Sequence, residues 1–202
     1  MFEIERLSNR LKNCKRNILG HETALKSAVL VPLVKRNGEW HVLFEVRSQD
    51  LKRQPGEICF PGGKVEKNES DADAAVRETC EELRLNSEEL DVLGPLDILV
   101  QSQSFFVYPY VGVIKDFDKI NPNEEVEEVF TVPLDWLNEH EPDLHYLEMK
   151  IEPNQDFPFE LIPNGENYNW RKHRKPEYFY QYGDYVIWGL TAHILVHFLK
   201  WV

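Results

Sequence analysis

The sequence predicts a mixed-sheet α/β (α+β) layered fold, in which helices cover the faces of a β-sheet. Apolar, β-branched runs typical of strands lie on both sides of a strong helical pattern at residues 70–84, and a second helical pattern closes the chain at 189–201. The chain has no internal repeat or low-complexity tract, and its 202 residues favour one domain. We place that domain at residues 25–202, after an amphipathic N-terminal helix or extension at 1–24.

The individual elements follow from hydrophobic periodicity and turn residues. Helices are expected over residues 2–17 (an amphipathic pattern that begins at Phe2), 70–84, 135–139 and 189–201. Strands are expected over residues 27–35, 40–47, 58–60, 91–101, 105–114 and 126–133. Asn37-Gly38 separates the first two strands and accepts the positive φ angles of a tight turn, which predicts a hairpin. Residues 141–185 are rich in Pro, Asn and Tyr and give no clear assignment.

The helix at 70–84 has the clearest signals. Ser70 is a suitable N-cap, and Asp71 and Asp73 lie in the first turn, where the helix dipole favours negative charge. Its apolar side consists of Ala74, Ala75, Cys80 and Leu83. We therefore expect this helix to pack on the sheet through one face and to leave the other face free for chemistry.

Composition excludes several classes of function. The formal charge of −12 disfavours binding to nucleic acid, whose phosphates an acidic surface repels. A small anionic substrate remains compatible if metal ions bridge it to the protein. The three cysteines show no CxxC spacing, which predicts reduced thiols rather than a zinc site. No secretory signal and no membrane-spanning run is evident, so we expect a cytoplasmic protein without membrane association.

Acidic residues cluster on the predicted helix. Glu78, Glu81 and Glu82 have i, i+3 and i+4 spacing, so their carboxylates lie on one helix face and repel one another. Such faces are usually solvated, but a divalent cation would relieve the repulsion, and oxygen ligands suit Mg²⁺ or Mn²⁺. Glu69 can add a ligand, and Arg77 can hold a carboxylate through a bidentate contact.

Two glycines precede this helix, at the end of the short strand 58–60. Gly62 and Gly63 allow the backbone to come close to metals or phosphates, where a side chain would obstruct it.

The ordered string of Gly63, Glu69, Arg77, Glu78, Glu81, Glu82 and Leu85 resembles the Nudix box, G-x5-E-x7-R-E-U-x-E-E-x-G-U. Thr79 replaces an aliphatic residue of that pattern, and Arg84 replaces its last glycine, so we expect the helix to end near Asn86 instead. The resemblance implies an α/β/α sandwich with a mixed sheet, and Mg²⁺- or Mn²⁺-dependent hydrolysis of a nucleoside diphosphate derivative.

The resemblance also implies a role for each residue of the box. It makes Glu78 and Glu82 the principal metal ligands, supported by Glu81, Glu69 and Gly63. Arg77, Glu78 and Glu81 are then the catalytic residues.

A second segment, RSQDLKRQPGEICFPGG at residues 47–63, resembles the coenzyme A pyrophosphatase branch of the Nudix hydrolases, although Glu45 stands where that branch usually has Thr. This resemblance implies hydrolysis of coenzyme A or its derivatives to 3′,5′-ADP and 4′-phosphopantetheine. It implies substrate contacts from Arg47, Lys52, Phe60 and Gly62. Arg47, Lys52 and Arg53 also form a local basic group on an acidic chain, although such charges are commonly solvated.

Several alternatives remain open at this level. The general base is either Glu81 or an acid among Glu124, Glu125, Glu127 and Glu128. The substrate could be ADP-ribose or NADH, and the domain could sense a nucleotide without cleaving it. A zinc site at His193 and His197 is disfavoured because no third ligand is evident. A homodimer is possible. Aromatic residues that could contact substrate, or simply pack, are Phe105, Phe106, Tyr108, Tyr168, Tyr178, Tyr180, Tyr182, Trp188 and Trp201.

Overall fold

The computed structural model describes residues 4–15, 17–102 and 104–202. Its helices are α1 (Ile4–Lys12), α2 (Asp71–Leu83), α3 (Leu134–Glu139) and α4 (Gly189–Phe198). Its strands are β1 (Leu25–Arg36), β2 (Glu39–Arg47), β3 (Ile58–Cys59), β4 (Gly62–Lys64), β5 (Leu90–Pro95), β6 (Leu99–Ser102), β7 (Phe105–Ile114), β8 (Val126–Pro133), β9 (Asp143–Met149), β10 (His173–Tyr182) and β11 (Tyr185–Ile187). Short 3₁₀ turns occur at Ser87–Glu89, Phe117–Lys119, Phe159–Leu161, Gly165–Asn167 and Leu199–Trp201.

The main sheet is mixed, as the sequence predicts. β1 and β7 pair in parallel along ten residues at its centre, and the other pairings are antiparallel. β8 covers one edge of β2 over residues 41–47, so β1 and β3 share the opposite edge. β1 pairs with β2 only over its C-terminal end and with β4 near its start. The short strands β3 and β4 therefore fill the opening between β1 and β2, and this is where the candidate site lies.

Helices cover both faces of this sheet, which makes the fold an α/β/α sandwich. On one face α2 packs against β1 and β7, around a core that includes Leu30, Leu43 and Leu83. On the other face α3 and α4 enclose a larger core that includes Val31 and Phe44. Alternate residues of β1 belong to opposite cores, which explains why this central strand has a continuous apolar sequence.

Helix α2 begins as predicted and ends differently. The Ser70 hydroxyl accepts a hydrogen bond from the Asp73 N–H at 3.1 Å, which is a standard N-cap. The predicted end near Asn86 is wrong, because Arg84 itself adopts the left-handed conformation with φ 51° and ψ 46°. Its N–H donates to the Cys80 carbonyl, as does that of Leu85. Arg84 thus takes the conformation of the missing glycine, at an expected cost of about 1 kcal/mol.

Other element predictions need correction. The single strand expected at 91–101 is two strands, β5 and β6, which pair with different parts of β7. The first helix ends at Lys12 rather than residue 17, and Phe2 lies outside the described residues. Residues 141–185, left without an assignment, contain most of a separate three-stranded antiparallel sheet in the order β11-β10-β9. Within the described part of the chain, no helix is long and apolar enough to span a membrane.

Candidate active site at the opening of the sheet

Gly62 and Gly63 connect the sheet to the acidic face of α2. A side chain at Gly62 would collide with the backbone of β1 at Ala28 and Val29, and the φ of 152° also favours glycine. A Cβ at Gly63 would overlap the carboxyl group of Glu78. Both glycines therefore allow a close approach, as predicted, but the groups that approach them belong to the protein. They are the backbone of β1 at Gly62 and the carboxyl group of Glu78, a candidate metal ligand, at Gly63.

Glu82 is fixed at this junction. Its Oε2 accepts a hydrogen bond from the Gly62 N–H at 2.7 Å, and the residue is 4% exposed. Burial raises the pKa of Glu82, and the negative charges of Glu45 and Glu78 raise it further. A nearby cation would therefore stabilise the ionised form of the buried Glu82 carboxyl group.

Glu45 is a second buried acid that the sequence reasoning did not assign to the site. It lies on β2, 1% exposed, and accepts a hydrogen bond from the Cys59 thiol at 3.3 Å through Oε1. Its Oε2 is buried and has no hydrogen-bond partner in the structure. Burial raises the pKa of Glu45, and the nearby Arg47 opposes that rise. A sequence signal existed, because Glu45 is an acid on a predicted strand, two positions before the predicted substrate contact Arg47.

Arg77 organises the more exposed acids of α2. Its guanidinium contacts both oxygens of Glu69, with Nε–Oε1 at 2.8 Å and Nη2–Oε2 at 3.2 Å, which is the predicted bidentate geometry. It also lies 3.0 Å from Glu78 Oε1 and 3.2 Å from Glu81 Oε2. Hydrogen bonds from Arg77 lower the pKa of Glu69, whereas partial burial raises the pKa of Glu78. Glu69 thus orients Arg77, and Arg77 in turn holds Glu78 and Glu81.

The four acids proposed as alternative bases lie in different environments. Glu125 has a charge that raises the pKa of Glu45, Glu78 and Glu82, so its carboxylate is close to the buried acids. The other three lie outside this group: Glu124 pairs with Arg84, Glu127 is exposed, and Glu128 accepts from the Tyr185 hydroxyl. The structure therefore separates Glu125 from its neighbours in sequence.

The donor set suits a hard divalent cation. Burial raises the pKa of Glu45, Glu78 and Glu82, and the charge of Glu125 raises each of them further; such oxygen ligands are those that Mg²⁺ and Mn²⁺ prefer. The unpartnered Oε2 of Glu45 is a further oxygen available for such an ion. Among the described residues, no three acidic, His or Cys side chains already converge at metal-ligand spacing. These residues fit the expected metal by chemistry and charge.

A cavity of about 480 Å³ opens beside the two glycines. Arg47, Phe60, Gly62 and Gly63, all predicted to bind substrate or metal, line it. Arg47 Nε is buried without a hydrogen-bond partner. Lys52 is exposed and is not among the lining residues, so the structure does not bring this predicted contact to the cavity. The other lining residues are Ser27, Val29, Gln54, Glu57, Ile58, Cys59, Gln101, Phe105, Val107, Lys175, Glu177, Trp188, Gly189, Leu190 and Thr191.

Most aromatic candidates have packing roles. Phe60 is buried and stacks on Phe44, and Phe106 and Tyr108 belong to the small core under α2. Tyr180 is buried in the larger core, with Tyr178 and Tyr182 packed against it, whereas Tyr168 is exposed and contacts Trp170. Of the nine aromatic candidates, Phe105 and Trp188 line the cavity.

The two histidines considered for zinc have separate partners. His193 Nε2 lies 2.9 Å from the Pro176 carbonyl, and His197 Nε2 lies 3.3 Å from Asp97 Oδ2.

Comparison with known proteins decides the family. The family model for the NUDIX domain matches residues 24–151, which is more than half of the chain. The chain belongs to the Nudix hydrolase family. The predicted family and sandwich fold are thereby confirmed, and the buried Glu82 belongs to the Nudix box of this domain. Lys175, Glu177 and the start of α4 lie beyond the matched residues.

Curated relatives of this Nudix hydrolase include several types. It is 40% identical to the mouse peroxisomal coenzyme A diphosphatase NUDT7 over 139 residues, which cover 68% of this chain and 58% of the mouse protein. It is 30% identical to Nudix hydrolase 3 of Caenorhabditis elegans, with 84% of this chain and 70% of that protein covered. It is 34% identical to an uncharacterized Nudix hydrolase NudL of Pectobacterium atrosepticum, with coverage of 84% and 79%. The chain thus spans little more than half of the mouse relative.

Proposed function

We propose that this Nudix hydrolase cleaves the diphosphate bond of coenzyme A or its acylated derivatives, with Mg²⁺ or Mn²⁺, to give 3′,5′-ADP and 4′-phosphopantetheine or its acylated form. The observation that carries the proposal is the junction at Gly62 and Gly63. Gly62 donates a hydrogen bond to Glu82, Gly63 leaves room for the carboxyl group of Glu78, and both glycines line the cavity together with Arg47. A substrate diphosphate in that cavity would therefore lie near both these carboxylates and the Arg47 guanidinium.

Each residue of the junction has a defined task. Glu82 and Glu78, with support from Glu81 and Glu69, would hold the metal ions, which neutralise the diphosphate and lower the pKa of a coordinated water. The Gly62 N–H orients Glu82, and Arg77 orients Glu78. Burial of Glu82 excludes bulk water, which strengthens its interaction with any cation.

We assign the proton transfer to Glu125 in preference to Glu81. The Glu81 carboxylate already pairs with Arg77 Nη1 at 3.2 Å. Glu125 is exposed to solvent, and its charge acts on Glu45, Glu78 and Glu82, so its carboxylate lies beside the acidic group with access to water. In the reaction the water oxygen bonds to one phosphorus, the bridging P–O bond breaks, and the water proton moves to the carboxylate and then to solvent. Comparison of the pH–rate profiles of Glu125→Gln and Glu81→Gln would distinguish the two acids, because only loss of the base removes the acidic limb.

Coenzyme A as the substrate is supported by three observations. Residues 47–63 carry the segment typical of the coenzyme A branch, and its Arg47, Phe60 and Gly62 line the cavity. The mouse relative is named a coenzyme A diphosphatase. The cavity is also large enough for part of a long nucleotide, and it combines cationic with apolar walls. The homodimer and the cytoplasmic location remain predictions.

A substrate panel tests this function. The purified chain is incubated with coenzyme A, acetyl-coenzyme A, ADP-ribose and NADH, each with Mg²⁺, with Mn²⁺ and with EDTA, and products are separated by chromatography. We expect metal-dependent release of 3′,5′-ADP, with kcat/KM for the coenzyme A compounds at least tenfold above that for the others. Preference for ADP-ribose or NADH would reject the substrate assignment. Tight nucleotide binding without cleavage under any metal would instead support a sensor.

A further inference from the structure

Two residues of β10, the partly exposed Lys175 and the buried Glu177, form an ion pair at the cavity wall. Lys175 Nζ lies 2.7 Å from Glu177 Oε1, and both residues line the cavity that contains Arg47. Glu177 is 4% exposed, and its Oε2 has no hydrogen-bond partner. His193 Nε2 is 3.7 Å from that oxygen, beyond hydrogen-bonding distance, and is already 2.9 Å from the Pro176 carbonyl oxygen. An unpaired buried carboxylate oxygen is costly, so a donor from a bound ligand would stabilise it.

The N-terminus of α4 opens into the same cavity. Gly189, Leu190 and Thr191, the first three residues of this ten-residue helix, line the cavity, and Trp188 supplies no side-chain cap. The first N–H groups of a helix have no acceptor within the helix, and the dipole gives them a partial positive charge. The Thr191 hydroxyl is directed elsewhere, to the Ile58 carbonyl at 3.0 Å. An anion in the cavity would find the helix end uncapped.

These groups give the cavity a second set of N–H donors besides Arg47. The chain has a formal charge of −12, yet Lys175, Arg47 and the start of α4 border one cavity, against the carboxylates of Glu57 and Glu177. Glu177 fixes the position of Lys175 and leaves its other N–H donors free. Under the proposed function the diphosphate lies near the metal ligands, so this second set of donors is available to another anionic group of the substrate.

We infer that Lys175, Glu177, Trp188 and the first turn of α4, here called the Lys175 subsite, bind the phosphorylated nucleoside end of the substrate. Lys175 and the α4 N–H groups contact a phosphate monoester on the ribose. The free oxygen of Glu177 accepts a hydrogen bond from a ribose hydroxyl or the adenine amino group, and Trp188 offers a ring for the base. This inference rests on the proposed function and names the group that separates coenzyme A from ADP-ribose and NADH, which have no ribose phosphate monoester.

Metal-free binding tests the subsite independently of catalysis. The full chain in EDTA is titrated with 3′,5′-ADP and with 5′-AMP by calorimetry. We expect 3′,5′-ADP to bind at least tenfold more tightly, and Lys175→Gln to reduce that preference to about twofold. Lys175→Arg should retain most of it. Lys172→Gln, which removes an exposed lysine outside the cavity, should leave the preference unchanged. The double variant Lys175→Gln/Glu177→Gln removes both charges of the pair and should also lose the preference, without leaving an unpaired carboxylate.

Kinetics provide the second test. We expect Lys175→Gln to lower kcat/KM about tenfold for coenzyme A and less than twofold for 3′-dephospho-coenzyme A, mainly through KM. Equal losses of kcat/KM on both substrates would show that Lys175 contacts a part they share, such as the pantetheine arm, and would overturn the inference. An unchanged kcat/KM on both substrates would also overturn it. If the wild-type chain cleaves neither compound, the proposed function fails. The binding test still decides the Lys175 subsite, because the preference for 3′,5′-ADP over 5′-AMP is measured without cleavage.

Discussion

The two sides of the cavity differ in charge, in chain origin and in what supports them. The segment from Gly62 to Arg84 presents carboxylates from one helix and one loop, and its geometry depends on contacts between residues 4, 8 and 20 positions apart in sequence. The opposite wall takes Lys175 from β10, Trp188 from the connection to α4, and Arg47 from β2. We propose that the first side carries the metal-dependent reaction and that the second side recognises the substrate.

This division between the two sides of the cavity allows the substrate to change within one family while the reaction is kept. The acidic segment lies inside the matched NUDIX domain at 24–151, whereas Lys175, Glu177 and α4 lie beyond it. A mutation on the acidic side should therefore reduce turnover of every substrate. A mutation on the opposite wall should change the ranking of substrates.

The largest effect is expected from Glu82→Gln. Loss of a buried metal ligand should lower kcat by about a thousandfold with Mg²⁺, because the neutral amide holds a cation poorly. Binding of 3′,5′-ADP in EDTA should remain within twofold of wild type. The measurement is steady-state hydrolysis of coenzyme A beside calorimetry. Glu88→Gln, an exposed acid outside the site, is the matched control. Retention of most of the metal-dependent activity would reject Glu82 as a ligand.

Gly63→Ala should have the next largest effect. The added methyl group would overlap the Glu78 carboxyl and displace it, so we expect kcat to fall about 30-fold while the fold survives. Thermal unfolding monitored by circular dichroism checks that the midpoint changes little. An increase in the Mg²⁺ concentration needed for half-maximal rate would locate the defect at the metal ligands. Unchanged kinetics would show that Glu78 does not need its present position.

Trp188→Ala tests the opposite wall. Trp188 is 43% exposed at the cavity, and loss of stacking on a base is expected to raise KM for coenzyme A about tenfold with little change in kcat. Trp201→Ala removes an exposed tryptophan outside the cavity and should leave both parameters unchanged. A fall in kcat with constant KM would contradict the division of the cavity into reacting and recognising sides.

The smallest effect concerns Glu45 and the pH dependence of stability. Burial raises the pKa of Glu45 to about 7, above its value in the unfolded chain, so its stabilising contribution is full in acid and is lost as pH rises through about 7. The Glu45→Gln variant has no such loss of stability with rising pH. In EDTA, the free energy of unfolding of Glu45→Gln relative to wild type should therefore rise by on the order of 1 kcal/mol between pH 5 and pH 8.

Urea denaturation at both pH values measures this difference. Glu39→Gln, at an exposed position on the same strand, should show no such change. A relative stability of Glu45→Gln that is independent of pH would mean that Glu45 ionises freely in the folded protein.

Much of the acidic side could be predicted from sequence, because its residues are close together in the chain. The helix from Ser70, the bidentate contact from Arg77 to Glu69 and the hairpin turn at Asn37 all follow from local spacing or local conformation. The sequence does not predict the end of α2 at Arg84, and this too has a physical reason. A non-glycine residue takes the left-handed conformation only when its surroundings offset the cost, and the sequence does not reveal those surroundings.

By itself, the sequence determined the family, the layered α/β fold and the carboxylate helix, because periodicity and fixed spacings are properties of neighbouring residues. Only the tertiary structure decided that Glu45 joins Glu82, that Glu125 is the member of its acidic run near the site, and that Lys52 stays outside the cavity. It also decided that Lys175 and the start of α4 line the same cavity as the two glycines. Those relations depend on which strands pair across long stretches of chain, and no local pattern specifies that pairing.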